Sequence, residues 1–371
     1  MNKRIPLLVP YLPTTQEILP YLQRIDQAKW YTNFGPLVRE LERRILAEVI
    51  GQYNDKFYFT TVNNCTLGLE LALQTLHLPT NSKVLIPALT FVATASAVIR
   101  AGHQPILADI NLDSWLLTEI IAKKAAEKMR IDAVMPVATY GCPQDICSWE
   151  QFIEDTGIPV IIDAAGAFGN QNIGQNVDVV FSFHATKSFG IGEGGGVFSG
   201  SQSRICEIRQ LSNFGIDTIS GIVYECGTNA KMSEFQAAIA LAALDKWPMT
   251  KCKLKDLYKE YVQILLSYCD RLTFQNKPQD GIYPIFPLAL PEGIDPNRVA
   301  AGLANKGVET RRWYYPPLYE HQALTCLPKA DDLSTVKHIS SRILGLPFHA
   351  SLSCEDMHFI SKNLQNFIND K

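Results

Sequence analysis

The chain has 371 residues, 47% hydrophobic and 19% charged, with a formal net charge of −3. A chain of this length buries one large core and a second, smaller one, so two domains are expected, residues 1–248 and 249–371. The near-neutral charge balance excludes nucleic acid as a main partner, and no apolar run is long enough to span a membrane.

The opening segment MNKRIPLLVPYLP is too short in its apolar part, and too broken by proline, for a secretory signal. Nine cysteines without a CxxC pair suit reduced thiols, and a cytoplasmic location is expected. Cys142 and Cys147 are the nearest pair in sequence, no second cysteine or histidine cluster accompanies them, and the seven histidines are dispersed. No metal is expected.

Thr14 and Glu17 form a capping box for a first helix that Pro20 is expected to interrupt or kink. A loop from Trp30 to Pro36 leads to a helix over Leu37 to Val49. Phe57 to Val62 reads as a strand running into Asn63, Asn64, Cys65 and Thr66, after which Leu67 to Leu76 has helical composition. Asn64 caps that helix. Its first amides read equally as an anion site or as a plain capped start.

Strands and helices then alternate: strands at Val84 to Pro87, Pro105 to Asp109, Ala133 to Val137 and Ile158 to Asp163, with helices at Thr90 to Arg100, Glu119 to Met129 and Trp149 to Asp155. This rhythm predicts an α/β fold with a mostly parallel central sheet and helices on both faces, ligands lying beyond the carboxyl ends of the strands. Asn64, Phe91, Asp163 and Lys187 all fall just past strand ends or at helix starts, so one pocket can collect them.

In the stretch DVVFSFHATKSFGIGEGGGVFSG, Val179, Val180, Phe181 and Phe183 form a buried strand, and Lys187 stands just past its end. Most lysines are solvated charges, but one set between an apolar strand and a glycine run is costly without a chemical task. Gly190, Gly192 and Gly195 satisfy GxGxxG formally. The dinucleotide reading fails because Gly196 to Ser199 reads as a turn into a strand and not as a helix start. Glycine here lets a backbone pass close to a flat ligand.

Ser233 to Leu244 is an alanine-rich helix. Lys253 to Cys269 is another, with Leu254, Leu257, Tyr258, Tyr261 and Leu265 at helical spacing, bridging to the second domain. That smaller α+β domain is expected to hold a strand near Tyr283 to Leu290, a helix capped by Asp295 with Pro296 in its first turn and Gly307 beyond its end, a short strand near Val308 to Arg312, and a final helix opened by Ser353.

A helix start with free amides, an aromatic, a strand-end aspartate and a strand-end lysine together match the needs of pyridoxal 5'-phosphate (PLP). The Cys65, Thr66 and Leu67 region with Ser182 suits the phosphate. Phe91 offers a flat partner to the ring, Asp163 keeps the pyridine nitrogen protonated, and Lys187 holds the aldehyde as a Schiff base and shuttles the proton.

The strings IPALTFVATASAV, PVATYG, IIDAAGAFG, FSFHATKSFGIGEGGG and GTNAKMSEFQAAIA resemble the nucleotide-sugar aminotransferases of the DegT/StrS family, fold-type I PLP-dependent enzymes, with a looser echo in LPFH near Leu346. The resemblance implies Lys187 as the Schiff-base lysine, Asp163 as the pyridine partner, Thr66 and Ser182 as phosphate ligands and Phe91 over the ring. It also implies that Asn229 reaches the cofactor phosphate of a neighbouring subunit, hence a homodimer with shared active sites; by itself Asn229 reads as a loop residue making a local turn. The implied reaction moves an amino group from L-glutamate to a nucleotide-linked keto-deoxysugar, of the 4-keto-6-deoxy, dTDP type.

Two positions depart from the family pattern. Gly166 stands where a glutamine or similar donor follows Asp-Ala-Ala, with water or His184 as candidate substitutes, and RRWYYPPLYEH matches the substrate loop only loosely, with Arg311 and Arg312 as candidates to meet a diphosphate. The competing readings are a sugar dehydratase, in which the resemblance implies histidine at position 187, and a non-catalytic binding or regulatory protein, against which the presence of both Lys187 and Asp163 argues.

Overall fold

The computed structural model describes residues 4–51 and 56–369. Met1 to Lys3, part of the opening segment in which no secretory signal is read, lie outside it. The capping box forms as expected: Thr14 Oγ1 accepts from the Glu17 amide, and the Glu17 carboxylate accepts from the Thr14 amide at 2.7 Å, opening α1 (Thr15–Ala28). Pro20 does not interrupt the helix, which runs on through it. Proline deprives only the Gln16 carbonyl of its donor, and both residues are exposed, so solvent reaches the group left over. α2 (Pro36–Ile50) opens with proline at its first position, and the buried Glu234 carboxylate accepts from the Leu37 and Val38 amides at 2.8 and 2.9 Å.

β1 (Tyr58–Val62), β7 (Gly195–Ser199), β6 (Asp178–Ser182) and β5 (Ile161–Asp163) lie side by side in that order, and β3 (Gln104–Ala108), β2 (Lys83–Pro87) and β4 (Ala133–Val134) form a second ladder. Parallel bridges from Val134 to Val160 and from Val137 to Asp163 join the two into one sheet, in which β7 alone runs against its neighbours. β4 is shorter than expected because Pro136 has no amide to give. Its carbonyl still accepts from the Asp163 amide at 2.9 Å, and the Asp163 carbonyl accepts from the Ala138 amide at 2.9 Å, so pairing resumes just where Asp163 sits.

Alternate residues of β6 point to opposite faces: Val179 and Phe181 join one apolar cluster, Val180 the other. α3 (Cys65–Gln74), α4 (Val92–Arg100) and α7 (Gln202–Ser212) contribute to the cluster of Val180, while α1, α2, α5 (Glu119–Lys128), α6 (Ile146–Thr156) and α8 (Glu234–Tyr268) contribute to the other, which gives the mostly parallel sheet its helices on both faces.

α8 corrects the sequence reading. The two helices expected at Ser233 to Leu244 and Lys253 to Cys269 are one 35-residue helix, about 52 Å long, with Pro248 inside it. It packs against α1, α2 and α11 (Cys354–Asn369), and this tertiary support outweighs the one hydrogen bond that proline removes. Beyond it, β8 (Phe286–Ala289) pairs antiparallel with β9 (Ile343–Leu346), flanked by α9 (Pro296–Asn305) and α10 (Ser334–Arg342). The short strand expected near Val308 to Arg312 is reduced to single bridges, Val308 with Ile5 and Arg311 with Gly345. No helix among the described residues is long and apolar enough to cross a membrane.

Candidate active site

Asp163 ends β5 and is 4% exposed. Thr94, one turn into α4, donates to its Oδ2 at 2.8 Å, and the Ala165 amide donates to its Oδ1 at 3.1 Å. Burial pushes this carboxyl above the ordinary aspartate range, opposed by the Thr94 and Ala165 hydrogen bonds and by the charge of Lys187. The Lys187 backbone amide donates to the His184 carbonyl at 2.9 Å, while its side-chain amine makes no hydrogen bond or ion pair among the described residues. Burial holds its amine below the ordinary lysine range, while Cys65 and Asp163 draw it back up. Burial and Asp163 in turn push the Cys65 thiol well up, and Lys187 opposes them. These three groups, from α3, β5 and the loop after β6, thus meet in one electrostatic environment.

Ser182 closes β6, and its hydroxyl accepts from the His184 amide at 3.2 Å. The His184 ring is turned elsewhere: Nδ1 meets the Thr186 hydroxyl at 2.9 Å and amide at 3.2 Å, and Nε2 lies 3.7 Å from Glu193. Nδ1 is therefore committed to Thr186, while Nε2 lies beyond hydrogen-bond reach of Glu193. Gly166 lies against another backbone, since a Cβ there would stand 3.2 Å from the Gly141 amide nitrogen.

At the start of α3, Asn64 Oδ1 accepts from the Leu67 amide at 3.0 Å. The cap therefore takes Leu67 out of the expected set of anion donors and leaves the Cys65 and Thr66 amides at the positive end of the helix dipole. Gly195 lets β7 cross this helix start: a Cβ there would come within 2.9 Å of the Cys65 amide nitrogen.

Phe91 caps α4 and is 55% exposed, its ring 6.2 Å from that of Tyr314. Tyr314 stacks on Tyr140 at 5.1 Å and 7°. Tyr140 is held by its hydroxyl, which donates to the Trp313 carbonyl at 2.6 Å. Burial and then the Asp163 charge push the Tyr314 hydroxyl up, with Arg311 opposing, so the aromatic wall borders the aspartate. Thr94, Tyr140 and Tyr314 were not singled out from the sequence. Thr94 carries a faint signal, standing four residues after Thr90, which lies just before the Phe91 cap of α4, and the two hydroxyls are 2.9 Å apart.

The two arginines separate. Arg312 donates to the Ser340 and Ser341 carbonyls, each at 2.8 Å, and caps the end of α10, so it is spent on the fold. Arg311 is exposed and lies over the Trp313 ring at 4.4 Å. Among the described residues no hydrogen bond links the Asn229 side chain to Asp163, Cys65 or Lys187. Asn229 is bridged to Asn213 at the base of a hairpin that exposes Ile219, Ile222, Val223 and Tyr224, and its Oδ1 accepts from Lys231 Nζ at 2.8 Å.

Fold and site together define a fold-type I PLP-dependent transferase. The profile of the DegT/DnrJ/EryC1/StrS aminotransferase family matches residues 13–365, and the chain belongs to that family. The dTDP-4-amino-4,6-dideoxy-D-glucose transaminase of Shigella dysenteriae is 31% identical over 98% of this chain and 99% of its own length. A Bacillus cereus ATCC 10987 protein, provisionally described as a PLP-dependent aminotransferase, superposes with a TM-score of 0.92 at 30% identity, covering 98% of this chain and 100% of its own. The enzyme DesI, solved in the presence of its TDP-sugar product, superposes with a TM-score of 0.88 at 28% identity, covering 100% of this chain and 94% of its own.

The residues present fit PLP. The unpaired Lys187 amine suits an aldehyde, the Cys65 and Thr66 amides and the Ser182 hydroxyl suit a phosphate, and Asp163, held by Thr94, suits a ring nitrogen.

Proposed function

We propose that this protein is a PLP-dependent sugar aminotransferase that moves an amino group from L-glutamate to a nucleotide-linked keto-sugar of the 4-keto-6-deoxy, dTDP type. The observation that carries the reading is the meeting of Lys187, Asp163 and Cys65 at the carboxyl ends of the strands in a chain of this family. The sugar and the nucleotide follow the relative that acts as a dTDP-sugar transaminase and the neighbour solved with a TDP-sugar. A dimer with shared sites, a cytoplasmic location and a division of the chain near residue 248, midway along α8, belong to the same proposal.

Bound PLP supplies an aldehyde to carry the amino group and a ring to accept electrons. Asp163 holds positive charge at the ring nitrogen, and the Thr94 hydroxyl aims its carboxylate and favours the ionised form against burial. The Lys187 amine, which burial holds below its usual range, takes the α proton of the donor and returns it to the product. Cys65 and Thr66 amides with Ser182 anchor the phosphate, Phe91 covers the ring, and Arg311 meets the sugar diphosphate. Both half-reactions use one site, so 2-oxoglutarate must leave before the keto-sugar enters, giving ping-pong kinetics. A dehydratase is disfavoured because Lys187 occupies the proton-shuttling position.

The test is direct. Protein loaded with PLP should yield 2-oxoglutarate from L-glutamate and, after removal of the donor, aminate a dTDP-4-keto-6-deoxy sugar. Failure of glutamate and of every other amino donor to convert the cofactor rejects the proposal.

A further inference from the structure

Lys231 stands two residues beyond Asn229 and is 8% exposed. Its ammonium lies over the Phe214 ring at 4.6 Å and donates to Asn229 Oδ1 at 2.8 Å, and among the described residues it has no carboxylate partner. A buried ammonium without a counter-charge is costly, and an anion brought near it lowers that cost. The adjoining Ala230 carbonyl accepts from the Asn63 amide at 2.7 Å, so this segment is tied to the chain just before α3.

An ammonium has donors and no acceptor, so the end of the Asn229 amide that faces Lys231 has to be the oxygen. The NH₂ group then points the other way, and it has no partner among the described residues. A phosphate is met by donors. An asparagine free to flip would present its oxygen to the phosphate for part of the time; one pinned by an ammonium presents only its donor end.

We infer that Lys231 is a positioning residue for Asn229, locking the amide so that its NH₂ group is the end offered to the phosphate of PLP bound in the neighbouring subunit. This rests on the reading of the protein as a PLP enzyme and of Asn229 as a phosphate ligand. Lys231 does not itself touch the cofactor.

The experiment titrates the full-length protein, freed of cofactor, with PLP and with pyridoxal, which lacks the phosphate. Wild type, Lys231→Met, Lys231→Arg, Asn229→Ala and the double variant Lys231→Met with Asn229→Ala are compared. Lys231→Met and Asn229→Ala should each weaken PLP by roughly tenfold, in keeping with loss of one hydrogen bond to a charged group. The double variant should be no weaker than the Asn229→Ala protein, Lys231→Arg should restore most of the affinity, and pyridoxal should bind all five alike, which also shows that they are folded. If Asn229→Ala weakens PLP but Lys231→Met does not, the inference is overturned while the reading of the site stands. If the two losses multiply in the double variant, Lys231 acts independently of Asn229 and the positioning role is overturned. If Asn229→Ala leaves PLP unaffected, both the inference and the role of Asn229 fall. If wild type does not bind PLP at all, the proposed function falls with them.

Discussion

The Thr94 hydroxyl donates to Asp163 Oδ2 across 2.8 Å of buried space, joining the first turn of α4 to the end of β5. This bond lowers the proton affinity of a carboxyl that burial raises. Thr94→Val keeps the shape and removes the donor, so the carboxyl should shift further up. The activity lost on acidification should then be lost at higher pH than in wild type, with turnover at neutral pH down by about tenfold. The pH profile of the glutamate half-reaction checks this; an unchanged acid limb would show that Thr94 does not tune Asp163.

Asp163→Asn should retain the cofactor and lose at least about a hundredfold in turnover, because an amide does not stabilise a protonated ring nitrogen. Absorbance titration and single-turnover kinetics separate binding from chemistry. Near-normal turnover in this variant contradicts the role given to Asp163.

Borohydride treatment of the PLP-loaded protein followed by peptide mapping should place the pyridoxyl label on Lys187. A label on another lysine sinks the assignment. Lys187→Ala should fold, bind PLP without a covalent link and show no measurable turnover.

The hairpin between Asn213 and Asn229 exposes Ile219 at 97% and Tyr224 at 69%. Apolar groups so open to water suit a covered face, and the proposed dimer supplies one. Paired Ile222→Glu and Tyr224→Glu changes should shift the protein towards monomer in sedimentation velocity and weaken PLP binding at the same time. A stable dimer in the paired variant places the interface elsewhere.

Lys277 offers a pH test remote from Asp163. Its ammonium lies over the Tyr283 ring at 3.7 Å, and burial depresses it to about 7, with Cys142 opposing. The unfolded lysine titrates near ~10.4, so the unfolded chain binds more protons between these values and the fold gains stability as pH rises through that window. The melting temperature of Lys277→Met relative to wild type should therefore be most favourable below about pH 7 and decline steadily towards pH 10. A flat difference refutes the depressed value.

Much of the large sheet was legible because its strands are short apolar runs bounded by proline, glycine or asparagine, and because Asp163 and Lys187 stand at strand ends, where local pattern and position in the fold coincide. The errors have one physical cause. Pro20 was read as a disturbance of α1 and the span between Leu244 and Lys253 was left out of any helix, whereas solvent at Gln16 and the packing of α1, α2 and α11 on α8 decide the outcome. The Asn64 side chain and the free amide of Leu67 were both read from one segment, though a single hydrogen atom cannot serve both. Tyr140 and Tyr314 come together from segments far apart in the chain, and Arg312 is consumed by carbonyls of Ser340 and Ser341; no local pattern announces either contact.

The unbroken course of α8 also bears on how a bulky sugar nucleotide gets in and out. One end of this rod begins five residues after Asn229, and the other delivers the chain to the segments that carry Arg311 and Tyr314. The helix keeps its course through Pro248, so both portions of the chain are built onto one continuous element. Around the site the exposed groups are side chains not built into the rod, Arg311, Tyr315 and the half-open ring of Phe91, so the surface a large substrate meets is made of side chains on loops and helix starts.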